Sequence, residues 1–253
     1  TAVGSGNSVA ATAESGGSAS AEANSLDGSG NTVSVDAASG GSVVAGDNNL
    51  DGTDNAVTGS AANGGEATIA DNTADGTGNQ LLADADGAGS TATVEDNIAN
   101  GVGNTVTASG VAGDAAATGN LIDGVGNLVS VEDGAATDNT VMGGDNLVTA
   151  DDSGLVDDNQ VDGIGNTLGA SGTGSVVSDN AVDGSGNTVE AVDGNTAATN
   201  QVAGFDNTVA AVTADTTGNI VDGAQNTVMD STDNFVDGLS NEVVDGASGN
   251  YVN

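Results

Sequence analysis

Apolar and polar residues alternate along this chain in short runs of period two, and the runs begin at asparagines. The stretch N-A-V-D-G-S-G-N-T-V, from Asn180 to Val189, shows the unit. Two asparagines stand seven residues apart, each is followed two residues later by an apolar side chain, and an Asp-Gly pair lies between them. Eleven complete copies of this unit occur, with one truncated copy at each end. Two residues after the first asparagine come Leu26, Leu50, Ile122, Val161, Val202 and their counterparts. Two residues after the second come Val9, Val33, Val57, Leu81, Val106 and theirs. Alternation with β-branched residues predicts short half-buried strands, with Asn and Val turned inward. Glycine is too frequent for helix and no period of 3.6 persists.

The interval of seven is constant wherever both asparagines are present, whereas the spacing between units shrinks along the chain. The second asparagines fall at Asn7, Asn31, Asn55, Asn79, Asn104, Asn127, Asn146, Asn166, Asn187, Asn207, Asn226 and Asn241. A repeat of about twenty residues marks a solenoid, in which each repeat buries its apolar face only by stacking on its neighbours. Early repeats carry a further alternating run, S-A-S-A-E from Ser18, S-V-V-A-G from Ser42, E-A-T-I-A from Glu66 and T-A-T-V-E from Thr91, which predicts a third side. The expected fold is all-β: a single tapered parallel β-solenoid of about eleven coils over residues 1–253. Wide coils of about 24 residues fill 1–126, coils of about 20 fill 127–225, and narrow, nearly two-sided coils of about 15 fill 226–253. The second asparagines are expected to stack as a hydrogen-bonded ladder, because an inward amide left unpaired is costly. Glycine recurs at one connector position in all twelve copies that contain the connector, as at Gly28, Gly52 and Gly76, which predicts either positive φ or close backbone approach.

Composition changes the picture of partners. The 253 residues include no Lys, Arg, His or Cys against 37 acidic residues, a formal charge of −37. Acidity with few aromatics is the mark of disorder, but a disordered chain has no use for this regular spacing. Without cationic side chains the chain has nothing to neutralise phosphate, which excludes nucleic acid and anionic membrane surfaces as partners. No apolar stretch reaches the roughly 18 residues of a membrane span. Trypsin has no cleavage site, which suits an extracellular or cell-surface protein, with Thr1 expected as the first residue of a processed form.

Catalytic chemistry finds little support. Nothing here titrates near neutral pH or stabilises an anion, and the pairs Asp151-Asp152 and Asp157-Asp158 read as solvated turn residues. The expectation is no enzyme and no catalytic residue. Two acidic columns are better candidates, for Ca²⁺: Asp27, Asp51 and Asp75 at the connector, and Asp47, Asp71 and Asp96 before the first asparagine. Like charges about 4.8 Å apart repel by roughly 1 kcal/mol in water, and oxygen-only ligands suit Ca²⁺. The D-G-T-G-N stretch from Asp75 to Asn79 resembles the glycine-aspartate turns of calcium-binding bacterial repeats, including those of ice-binding adhesins. The G-G-x-G-x-D signature is absent and no Asp follows the asparagine. Beyond that turn, the chain is similar only in general character to extracellular parallel β-solenoid proteins.

The functional expectation is a structural subunit of an extracellular filament. Neither end shows a capping helix, and edges without caps invite head-to-tail stacking. Thr1, Ala2, Asn7 and Val9 would meet Asn250, Tyr251, Val252 and Asn253 of the next copy, so the partner is the chain itself. The alternative is a calcium-dependent adhesin or ice-binding module acting as a monomer, suggested by outward Thr32, Thr105, Thr167, Thr188, Thr208 and Thr227 and interrupted by Ala56, Gln80, Leu128, Leu147 and Glu242. Outward Ile98, Leu121, Ile220, Phe235 and Tyr251 mark either a lateral contact or a surface covered by the chain's own loops.

Overall fold

A computed structural model describes residues 1–253 except 112–113, 153, 173, 193–195, 212–215, 230 and 245–248. The chain is all-β: the described residues contain strands and turns and no helix. It divides into two compact units, Thr1–Gly134 and Ala135–Asn253.

Each unit is a parallel β-solenoid. In the first, a coil begins on a first sheet with a five-residue strand such as Ser25–Ser29, continues on a second with Thr32–Ala37 and closes on a third with Ser42–Gly46. The next coil repeats the three strands at Asn49–Thr53, Ala56–Ala62 and Glu66–Ala70, each paired in parallel with its predecessor. Register follows the repeat read from sequence: Leu26 lies beside Leu50, Gly28 beside Gly52, and Val33 beside Val57. The second unit obeys the same plan with shorter strands, as in Gln160–Ile164, Thr167–Ala170 and Val176–Ser178. Third-sheet strands there shrink to the two residues Thr216–Thr217 and Ser231–Thr232. Among the described residues the turns number about nine, slightly fewer than the eleven coils expected from asparagine spacing.

The core is the column of inward residues inside each unit. One wide coil buries Leu50, Val57, Ala61, Ala67 and Ile69, and a narrow one buries Val161, Leu168, Ala170 and Val177. Most are Ala or Val because facing strands stand close together. Where Ile69 is admitted, Gly59 lies opposite: a Cβ built on Gly59 would sit 3.0 Å from the Ile69 Cδ1. Close packing of this kind leaves no room for one more methyl without displacement.

Glycine at the connector is fixed by both effects expected of it. Gly28, Gly52 and Gly76 have φ of 127°, 126° and 126°. A Cβ on any of them would overlap the carbonyl oxygen of the equivalent glycine one coil earlier. No L-residue with a side chain fits such a position.

Candidate asparagine ladders, acidic columns and outer faces

Every asparagine of the repeat is preceded by a residue in the left-handed region. Before the first asparagine stand Ala23, Asp47, Asp71, Asp96, Gly119, Asp138, Asp158, Asp179, Thr199, Gly218, Asp233 and Gly249. Before the second stand Gly6, Gly30, Asp54, Gly78, Gly103, Gly126, Asp145, Gly165, Gly186, Asp206, Gln225 and Ser240. Their φ values lie between 52° and 71°. This residue turns the corner, and the asparagine after it points its amide inward. Glycine enters the region without penalty, and aspartate enters it more readily than most residues. The corner also keeps its backbone bonded: Asp47 N–H donates to the Ala70 carbonyl at 3.2 Å and Gly30 N–H to Thr53 at 2.9 Å. Sequence reasoning missed this rule, although a Gly-Asn or Asp-Asn dipeptide at most corners carried the signal.

The expected ladder exists, and there are two of them. Along both, the backbone N–H of one asparagine donates to Oδ1 of the asparagine one coil later, as from Asn31 to Asn55 at 3.0 Å and from Asn187 to Asn207 at 2.9 Å. Asn55 N–H likewise donates to Asn79, Asn79 to Asn104 and Asn104 to Asn127. In the second unit the same bond links Asn146 to Asn166, Asn166 to Asn187, Asn207 to Asn226 and Asn226 to Asn241.

The ladders differ in how they use the amide NH₂. On the first-asparagine ladder, Nδ2 also donates to the next Oδ1, and often to carbonyls beside it. Asn72 Nδ2 reaches Asn97 Oδ1 at 2.9 Å, Ala45 O at 3.0 Å and Ala70 O at 2.9 Å. On the second-asparagine ladder the neighbouring acceptor is the connector glycine's carbonyl, and contacts are long: 3.4 Å from Asn55 to Gly28 and 3.5 Å from Asn127 to Gly101. The buried Nδ2 groups of Asn31, Asn79 and Asn104 have no partner. In the second unit this ladder gains a closer carbonyl four residues back, as from Asn207 to Ala203 at 3.1 Å and Asn241 to Asp237 at 2.8 Å. An unpaired buried donor costs about 1–3 kcal/mol, so the first unit's second ladder is its weaker seam.

The acidic columns are real columns with unlike causes. Asp27, Asp51 and Asp75 lie in register on the outer face of the first sheet, followed by Asn100, whose Nδ2 donates to Asp75 Oδ1 at 2.7 Å. Asp47, Asp71 and Asp96 are the left-handed corner residues, exposed to solvent. Among the described residues no three acidic side chains converge as a metal would require. In the second unit the corner Asp158 carboxyl is raised above its ordinary value of 3.8, first by the charge of Asp157, then by desolvation, then by Asp138 and Asp179. With no cation on the chain, corner carboxylates repel along the stack.

Outer faces divide by sheet. On the second sheet of the second unit, Thr167, Thr188, Thr208 and Thr227 stand in one register column, between Leu147 and Glu242. In the first unit the same slot holds Ser8, Thr32, Ala56, Gln80, Thr105 and Leu128. The outward apolar residues of the first sheet are open to solvent rather than covered: Ile220, Phe235 and Tyr251 are 47%, 42% and 56% exposed. Ile98 is also exposed and Leu121 partly so.

At the low-numbered edge of the first unit, Ala2 pairs with Leu26 and Val9 with Val33. Asn7 donates through both N–H and Nδ2 to Asn31 Oδ1, at 3.0 and 2.9 Å. At the high-numbered edge of the second, Tyr251 and Val252 pair with Phe235 and Val236, and Asn250 Oδ1 accepts from Asn234 N–H at 2.8 Å. Asn253 Nδ2 reaches Asp237 Oδ1 at 3.0 Å. Thr1 is exposed and precedes the first strand.

Comparison with protein-family models, with curated proteins and with solved structures finds no match.

Proposed function

We propose that this protein is a structural subunit of an extracellular filament, assembling head to tail by adding coils of one copy to coils of the next. The observation that carries this reading is the polarity of the ladders. Within each unit the N–H groups of the ladder asparagines donate toward the higher-numbered coil. The two edges of any run of coils are therefore unlike and complementary: one presents Oδ1 acceptors, the other N–H donors. A second copy stacked in the same direction extends both ladders and the parallel sheets, and a joint between unlike surfaces propagates as an open filament. In this reading Thr1, Ala2, Asn7 and Val9 meet Asn250, Tyr251, Val252 and Asn253 of the neighbour. A chain without Lys or Arg, resistant to trypsin-like proteases, suits the outside of a cell. Salt or divalent cations such as Ca²⁺, drawn to the acidic columns, would screen the charge of −37 and favour stacking.

Electron microscopy and light scattering across protein concentration, with and without NaCl or CaCl₂, test this. Filaments of uniform width that lengthen with salt are expected; a monodisperse monomer at every concentration and salt level sinks the reading. The in-register threonines of the second unit favour one alternative, a monomeric calcium-dependent adhesin or ice-binding module. Thermal hysteresis by the monomer, lost on Thr188→Lys, would support that alternative.

A further inference from the structure

We infer that the outer face of the first sheet in the second unit is a docking surface for an extended cationic peptide segment, one that carries Lys or Arg interspersed with apolar residues. The chain has only three aromatic residues, Phe205, Phe235 and Tyr251, and the core uses none of them. All three stand exposed on this one face. Register sets Ile220, Phe235 and Tyr251 in one column, and Phe205, Ala224 and Leu239 in another. Phe235 and Tyr251 stack with ring centroids 5.0 Å apart and planes 8° from parallel. Leu239 is 76% exposed. Aromatic side chains placed on the surface of a protein that fills its interior with Ala and Val are an unpaired apolar surface, not surplus core.

Between the two apolar columns runs a third, with Asp222 beside Asp237. The column continues through earlier coils as Asp162, Asp183 and Ala203. There it lines a shallow groove together with the neighbouring register column of Gln160, Ala181, Gln201 and Ile220. Charge decides the occupant. No Lys, Arg or His exists on this chain to neutralise these carboxylates. A second copy of the chain laid on the face would set Asp222 and Asp237 against like charges, and an anionic or purely apolar partner would desolvate them without compensation. A segment with basic side chains over the Asp column and apolar side chains over the flanking columns satisfies both features. Apart from Tyr251, which lies on the edge strand, this surface does not depend on the filament reading, since Ile220, Asp222, Phe235 and Asp237 lie on the side of inner coils.

Tyr251 is the single Tyr of a chain without Trp, so its fluorescence reports on the patch directly. The experiment titrates the full chain at low salt with a synthetic peptide of alternating Lys and Leu. Oligolysine, a Glu-Leu peptide of equal length and a neutral β-glucan are run in parallel. Saturable change in Tyr251 emission by the Lys-Leu peptide is expected, with at least a tenfold weaker response to oligolysine and none to the Glu-Leu peptide. Phe235→Ser with Ile220→Ser, followed by calorimetry, should weaken peptide binding at least tenfold while the melting temperature holds. Asp222→Asn with Asp237→Asn should weaken it similarly, and Asp27→Asn with Asp51→Asn in the first unit less than twofold. Equal binding of oligolysine and the Lys-Leu peptide, indifferent to the Phe235 and Ile220 changes, would reduce the effect to diffuse attraction by a polyanion and overturn the proposal. A response to the glucan in place of the peptide would overturn it too.

Discussion

The two units solve the same folding problem at different widths. In the first, asparagines of one ladder recur every 23 to 25 residues. In the second they recur every 19 to 21 residues and finally every 15 or 16. The loss is not shared evenly. Full strands of the first sheet keep five residues in both units, as at Asn49–Thr53 and Phe235–Leu239. Second-sheet strands fall from seven residues at Ala56–Ala62 to three at Thr227–Met229, and third-sheet strands from five to two. The part that never changes is the pair of left-handed corners with the first-sheet strand between them. That segment carries both ladders and the glycine column, so its length is set by backbone contacts between coils. The other two sides need only bring the chain back, and their length sets how large the core residues can be. Five of the six largest fully buried side chains, Leu26, Leu50, Ile69, Leu81 and Ile122, belong to the wide unit, and Leu168 alone to the narrow one.

The strongest attempt to break this comparison is a methyl group in the corner that both units share. Gly76→Ala in the first unit and Gly204→Ala in the second each place a Cβ against the preceding coil's carbonyl oxygen at a φ of 126° or 121°. Both should destabilise by about 4 kcal/mol or more, enough to unfold the affected unit at ambient temperature. Denaturant melts followed by circular dichroism read the result, and tolerance in either unit would show that the corner is not the fixed element.

Core width predicts the next effect. Ile69→Ala in the wide unit should cost about 3–4 kcal/mol, because Gly59 opposite cannot fill the space. Leu168→Ala in the narrow unit should cost about 2–3 kcal/mol, where nearer walls collapse more readily. Equal costs by chemical denaturation would remove width as the variable.

The ladders offer a finer contrast. Asn207→Ala removes bonded groups throughout and should cost about 3 kcal/mol. Asn79→Ala removes the Oδ1 that accepts from Asn55 N–H but also deletes an Nδ2 that has no partner, and should cost about 1 kcal/mol less. If Asn79→Ala is the more damaging in melts, the first unit's second ladder is not the weaker seam.

The smallest effect expected is electrostatic. Asp158 has its carboxyl raised in the folded state, so the fold favours the protonated form relative to the unfolded chain. Its repulsion is absent below the ordinary value of 3.8, appears as pH rises through and just above it, and persists at neutral pH. Asp158→Asn keeps a residue at ease in the left-handed region and should slightly raise the neutral-pH melting temperature, with no gain at pH 3. A gain equal at both pH values would assign the effect to something other than charge.

Much of the fold was legible because its contacts repeat. The seven-residue interval appears eleven times and the invariant glycine twelve, with the apolar slots recurring beside them, so one chain supplied its own comparison. The acidic columns were legible as columns but not in their cause. Asp47, Asp71 and Asp96 look like a row of ligands in sequence, and their place in the structure is at corners where φ is positive. Composition made the aromatic residues conspicuous, but alternation alone left Phe235 and Tyr251 open to burial by loops.

By itself the sequence determined that the chain climbs in coils, which residues stack on which, and which side of each strand faces inward. These follow from period and from the steric demands of Gly, Asn and Val, which are local. Only the tertiary structure decided which amides find partners. Pairing depends on tenths of an ångström between a side chain and a carbonyl in another coil, as in the 3.4 Å that separates Asn55 Nδ2 from the Gly28 oxygen. It likewise decided that Phe205, Phe235 and Tyr251 share one solvent-facing surface, because that depends on register across four successive coils and not on any neighbour in sequence.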